Sequence, residues 1–272
     1  MRGLMLHCGA EPISRNELAS LPAPVPLTKT HFPIPHIDVI SQVEKGFGRL
    51  GKFEITDQCF GVSHEGKRMY SISALRAVYT KGHDDWRVIF GTRNAHDMAH
   101  SAGGCFGSEC FVCDNKAFIG DFVFGRKHTK RITEELPYLI DDCLYQLADN
   151  VDSMERRYEH YKEFPVDDKW MHDVVCRSLD LNRDGRQYVI KSAHVTKVLK
   201  HWRDPEHQVF LQRNAWSAFN AFTEIQKGIQ LNEQSKRTQV LHRLFDEATG
   251  ILEKKNQPQE KGTDAERIVD GS

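Results

Sequence analysis

A chain of 272 residues can bury a core that needs no disulfide or metal staple. Lysine and arginine number 37 against 38 aspartates and glutamates, so no global field draws the protein to nucleic acid or to an anionic membrane, and any such contact has to come from a local patch. Seven cysteines, odd in number and irregularly spaced, argue against the paired framework of a small secreted protein and for reduced thiols.

The N-terminal MRGLMLHCGAEPIS has neither the apolar core nor the cleavage pattern of an export signal, and no window approaches the roughly 18 apolar residues of a membrane span. A cytoplasmic protein without a membrane segment is expected. Prolines at 12, 22, 24, 26, 33 and 35 keep residues 1–35 from long regular structure and define an N-terminal arm. Within it, Ser14-Arg-Asn-Glu17 is a capping-box pattern that predicts a short helix from Ser14 to Leu21. The following PAPVPLTKTHFPIP is expected to lie extended across the body, with Val25, Leu27, Phe32 and Ile34 buried.

Ile37, Ile40, Val43 and Phe47 recur at helical spacing and predict an amphipathic helix ended by Gly46, Gly48 and Gly51. The period then changes to two. Phe53 and Ile55, then Tyr70, Ile72 and Ala74, alternate with polar residues, and Val78-Tyr-Thr and Trp86–Phe90 read as further strands. Ser63–Gly66 and Lys81–Asp85 are credible hairpin turns. Strands at Ser108–Val112 and Ala117–Phe124 close the sheet, the second placing Phe118, Phe122 and Phe124 on one face.

From Thr133 the pattern is helical. Leu136, Leu139, Ile140, Cys143, Leu144, Leu147, Val151, Met154 and Tyr158 form a long apolar stripe with Pro137 in its first turn, and shorter helices follow at 167–181, 190–203, 209–228 and 236–254. The tail from residue 255 lacks periodicity and is expected to be disordered. The fold expected is α+β: an antiparallel meander over about 52–125 and a helical region over about 130–254 packed on it, forming a single domain over 36–254.

Five segments taken together, HCGAEPISRNELASLP, GTRNAHD, FVCDNKAF, RKHT and NAWSAFNAFTE, resemble the DUF932 family, the phage/plasmid-like proteins. The resemblance spans roughly residues 4–252 and implies a protein of phages, plasmids and other mobile elements. It lends no activity. Members often carry Asn-Ser-His-Asp where this chain has Asn94-Ala95-His96-Asp97, so no role for that serine carries over.

Gly91–Thr129 concentrates the versatile side chains. Cys105, Cys110 and Cys113 with His100 offer thiolate and imidazole ligands of the kind zinc takes, but a C-x-x-C within a strand splits its cysteines between faces, which favours buried thiols and no metal. His96, Asp97 and His100 could serve a metal-dependent hydrolase or nuclease, Asp97 orienting an imidazole. Against this, Asn94, His96 and Asp97 can simply bond backbone at a strand end. Arg93, Asn94, Asn115, Arg126, Lys127, His128, Lys130 and Arg131 would form a nucleic-acid surface, with Phe106, Phe118, Phe122 and Phe124 as stacking faces or as core, and Lys236, Arg237, His242 and Arg243 as a second basic cluster.

Glu224 could meet His128 or Arg93 in a pocket between sheet and helices, making His96, Asp97, His128 and Glu224 the catalytic candidates. Asp180–Gly185 imitates a calcium loop but has Lys191 where the bidentate glutamate belongs. The preferred reading is a non-enzymatic, nucleic-acid-associated protein handling single strands, without a cofactor; a metal-dependent enzyme and a scaffold are the alternatives, and self-association stays open. The corner of Arg93, Asn94, His96 and Asp97 is expected to meet the hairpin corner of Asn115, Arg126 and His128.

Overall fold

Period-two alternation after Gly51 builds four long antiparallel strands, β2 (Phe53–Ser63), β3 (Arg68–Ala77), β4 (Trp86–Ala95) and β5 (Ala102–Cys110). The structure is a computed structural model, described for residues 9–78, 85–110, 115–118, 124–180, 189–229 and 231–251. A short β1 (Glu11–Ile13) adds to the β2 edge, and β6 (Lys116–Phe118) and β7 (Phe124–Arg126) both pair with β5. With helices following the sheet in sequence, the fold is α+β as expected. The Ser63–Gly66 turn forms with His64, Glu65 and Gly66 all at positive φ. Val78 lies beyond the end of β3; Tyr79 and Thr80, the rest of the strand expected there, and residues 81–84 of the second turn lie outside the described residues.

β5 begins six residues before the strand expected at Ser108. Gly103, Gly104 and Gly107 hide it from a search for apolar alternation, yet the packing needs them small. A Cβ on Gly107 would meet the Ala117 carbonyl oxygen and lie 2.7 Å from the Phe118 Cα. Backbone cannot yield as a side-chain tip can, so Gly107→Ala is expected to force β5 and β6 apart at about 1–3 kcal/mol. Urea unfolding of the variant checks this, and wild-type stability would show that the two strands separate freely.

The register also corrects the expected stripe of phenylalanines. Phe118 pairs with Gly107 and Phe124 with Gly104, three positions apart on β5, so they point to opposite faces. Phe124 joins Phe90, Ala102 and Phe106 in the main core, whereas Phe118 packs with Tyr70, Ile72, Ile89 and Cys105 on the other side. Phe122 lies outside the described residues.

Helices cover the main face. α2 (His36–Leu50) runs through Gly46 and Gly48 and stops only at Gly51, which takes the left-handed conformation. Gly46 sits where α2 crosses the 32-residue α3 (Ile132–Glu163): a Cβ there would lie 2.9 Å from Ile140 and Leu144. Pro137 falls in the second turn of α3 rather than the first, forfeiting one backbone hydrogen bond. After α4 (Asp168–Asp180) and α5 (Val195–Arg203), α6 (Ala215–Glu224) starts six residues later than expected, because the Asn214 side chain accepts from the Ser217 amide and caps it there. α7 (Leu231–Ala248) closes the core. Leu181 to Gly185 of the calcium-like Asp180–Gly185 stretch and the tail beyond Ile251 lie outside the described residues.

In the arm, α1 (Arg15–Ala19) forms with both halves of its capping box. Of the burial expected further along, Ile34 is half-buried against the main core, but Val25 is 73% exposed, Leu27 57% and Phe32 42%. Polar bonds hold most of this segment.

Candidate functional site

Those bonds converge at one corner of the sheet. The turn after β4, the start of β5 and the residues after β7 share one sheet end, because Ala102 pairs with Arg126. Residues 27–36 of the arm cross it. Phe32 donates its amide to the His128 carbonyl (2.8 Å), and Ile34 donates its amide to His128 Nδ1 (3.3 Å). The Ile34 carbonyl accepts from His96 Nε2 (2.9 Å) and Asn94 Nδ2 (3.1 Å). His36 joins its Nε2 to the Gly66 carbonyl and faces Asn94 Nδ2 through Nδ1, both at 2.9 Å, and stacks on His96 at 3.7 Å between ring centroids.

Five histidines thus gather where the sequence suggested three, with His31 and His36 the additions. Their signal lay in THFPIPH: prolines at 33 and 35 remove backbone donors, so side chains have to anchor the segment. Burial and mutual repulsion keep His36, His96, His100 and His128 neutral. His36 is pushed down to about 3, first by burial and then by His96. His100 and His128 are each pushed down to about 4 by burial, with Arg93 adding to the first and His31 to the second, and burial also lowers His96.

Beside this anchor lies a cleft of about 560 Å³. Its lining includes Thr28, Thr30, His31, His100, Lys127, His128 and Thr129, and no carboxylate among the described residues. His31 and His128 are only 4% and 6% exposed, and the Nε2 atoms of His31, His100 and His128 are buried without a hydrogen-bond partner among the described residues. Buried polar atoms left unpaired in this way carry a desolvation cost that a polar ligand would offset.

The other candidates disperse. Asp97 is held by Arg68 (2.7 Å) and the Ala99 amide (3.1 Å), not by either neighbouring histidine, so the His96, Asp97 and His100 arrangement is not assembled. His100 bonds through Nδ1 to the Ser101 carbonyl, and Met98 at positive φ breaks the helical turn that would align it with His96. Arg93 is largely buried, Arg126 pairs with Glu135 (2.6 Å), and Arg131 reaches the same carboxylate at 3.2 Å. Lys127 and Lys130 are exposed without an ion pair among the described residues.

Asn115 lies at the far end of β5, its carbonyl accepting from Cys110 and its side chain donating to the Asn220 carbonyl at 3.2 Å. The two expected corners therefore meet only in part: His128 reaches Asn94 and His96 through the arm, and Asn115 does not. Glu224 accepts from Lys227 at 2.6 Å and lines a small pocket with Asn115, apart from His128 and Arg93, which ends the expected pairing. In the second basic cluster, His242 is buried against Phe219, leaving Lys236 and Arg243 exposed.

Cys105 and Cys110 lie on opposite faces of β5, and Cys113 lies outside the described residues. The five described cysteines are free thiols, and no three metal-binding side chains converge among the described residues. Burial pushes the Cys59 and Cys143 thiols up to about 12 and Cys105 higher still, so they are inert. No helix among the described residues is long and apolar enough to cross a membrane.

No curated protein and no solved structure matches this chain. A family model does, over residues 29–261, from the histidine-bearing part of the arm to beyond α7. The chain belongs to the family described as a domain of unknown function, DUF932.

Proposed function

We propose that this is a non-enzymatic, nucleic-acid-associated protein of a mobile element, acting in the cytoplasm and taking single strands at the cleft between arm and sheet. The supporting observation is the cleft lining: hydroxyl and imidazole side chains without a carboxylate, and Lys127, which like its neighbour Lys130 has no ion pair among the described residues. Such a surface suits phosphate oxygens, which accept hydrogen bonds and carry negative charge. Of the expected stacking faces, Phe106, Phe118 and Phe124 are buried and cannot stack on bases, and Phe122 lies outside the described residues. Contact through phosphates alone implies weak sequence preference.

Anisotropy of labelled single-stranded DNA tests this at low and moderate salt. With two lysines each neutralising one phosphate, binding is expected to weaken about sevenfold between roughly 50 and 200 mM salt. The double reversal Lys127→Glu, Lys130→Glu is expected to abolish most binding and flatten the salt dependence. No binding at low salt, or a salt dependence unaltered by the reversal, overturns the reading.

A further inference from the structure

We infer that the cleft contains a site for a phosphate monoester, the terminal phosphate of a strand, read by His31, His100 and His128. This deepens the nucleic-acid reading and rests on it for the source of the phosphate. The geometry fixes which proton each imidazole carries. His31 Nδ1 accepts from the Leu27 amide at 3.1 Å, and His128 Nδ1 accepts from the Ile34 amide at 3.3 Å. In a neutral ring the proton must then sit on Nε2, which makes both Nε2 groups donors. His100 is the reverse: its Nδ1 faces the Ser101 carbonyl at 3.3 Å and must donate, so its Nε2 presents a lone pair.

Three residues of the cleft lining thus carry two buried N–H donors and one buried acceptor, none with a hydrogen-bond partner among the described residues. A phosphodiester within a strand has only oxygen acceptors and leaves the His100 lone pair unmet. A monoester in its singly protonated form matches all three groups, its P–OH donating to His100 while two other oxygens accept from His31 and His128. The second ionisation of a free monoester lies at about 6, and the His100 lone pair holds that proton on the bound ester. Burial keeps the His100 and His128 rings neutral at physiological pH. Lys127, on the same lining, supplies the countercharge.

The test compares one labelled oligonucleotide with and without a terminal phosphate, alongside inorganic phosphate followed by the imidazole ¹⁵N signals of the wild-type chain. The phosphorylated strand is expected to bind at least about tenfold tighter, since charged hydrogen bonds to all three rings are gained. Phosphate is expected to shift the Nε2 signals of His31, His100 and His128. His31→Phe, which keeps a ring of similar shape, is expected to cut the preference severalfold.

Equal binding of both strands with unmoved imidazole signals overturns the inference and leaves nucleic-acid association standing. Binding of inorganic phosphate with the expected signals, but of neither strand, supports the phosphate site and overturns the nucleic-acid reading. Failure of all three ligands overturns both.

Discussion

Asp246→Ala is expected to cost about 3–5 kcal/mol, because it strands a partly buried guanidinium without its carboxylate. Asp246 on α7 accepts from Arg157 Nε at 2.9 Å and Nη2 at 3.0 Å, and from the Tyr161 hydroxyl at 2.7 Å, both partners on α3. Asp246 is 4% exposed. Burial and the Asp246 carboxylate push the Tyr161 phenol well above its ordinary value, so it remains a donor. The same carboxylate therefore ties the helix lying on the sheet to the last helix of the core. His242, one turn earlier, is kept neutral by burial and by Arg157, and stacks on Phe219 at 4.8 Å. Urea unfolding measures the loss. The double variant Arg157→Met, Asp246→Leu is expected to recover most of it, since two apolar side chains leave no unpaired charge. If the double variant is as unstable as Asp246→Ala, shape and not charge makes this joint.

Sequence patterns revealed the elements whose signals are local. α1 carries its capping box in four residues, and the stripe from Leu136 to Tyr158 announces α3 without any partner. β5 was half hidden, because its glycines answer to atoms on β6 and β7 that no local window contains. The same limit put Phe118 and Phe124 on one face: parity along a strand is readable, but a register change between two short strands is not. The candidate site was partly legible. The sequence marks Asn94, His96 and His128 as versatile side chains, and Asn94, His96 and Asp97 as able to bond backbone at a strand end. What they bond to was not visible, since His31 and His36 lie about sixty residues or more away in sequence from the turn they meet. Reading the arm as apolar burial missed that its prolines and histidines form a polar anchor, which leaves Val25 and Leu27 exposed.

Acidification from pH 6.5 towards 4 is expected to release the arm before the core unfolds. A histidine whose folded pKa is depressed stabilises the fold fully above its unfolded value of 6.5, and that stability is lost as pH falls towards the folded value. The window is therefore 6.5 down to about 4 for His100 and His128, and continues to about 3 for His36. At pH 5, His36 alone accounts for about 2 kcal/mol, a sizeable part of the 5–15 kcal/mol that typically holds a domain together. The loss is local because protonation removes acceptors as well as adding charge. His128 Nδ1 accepts from the Ile34 amide and His36 Nδ1 from Asn94, and neither can do so once that nitrogen carries a proton. Hydrogen exchange, corrected for intrinsic rates, checks the order: the Phe32 and Ile34 amides are expected to lose protection near pH 5 while those of β4 and β5 keep theirs. His128→Gln, which offers an acceptor that does not titrate, is expected to weaken the pH dependence of the Ile34 amide. Equal loss of protection in arm and sheet, or none between pH 6.5 and 4, would show that the histidine corner does not hold the arm. Because His128 also lines the cleft, its protonation should open the wall against which the ligand is proposed to bind.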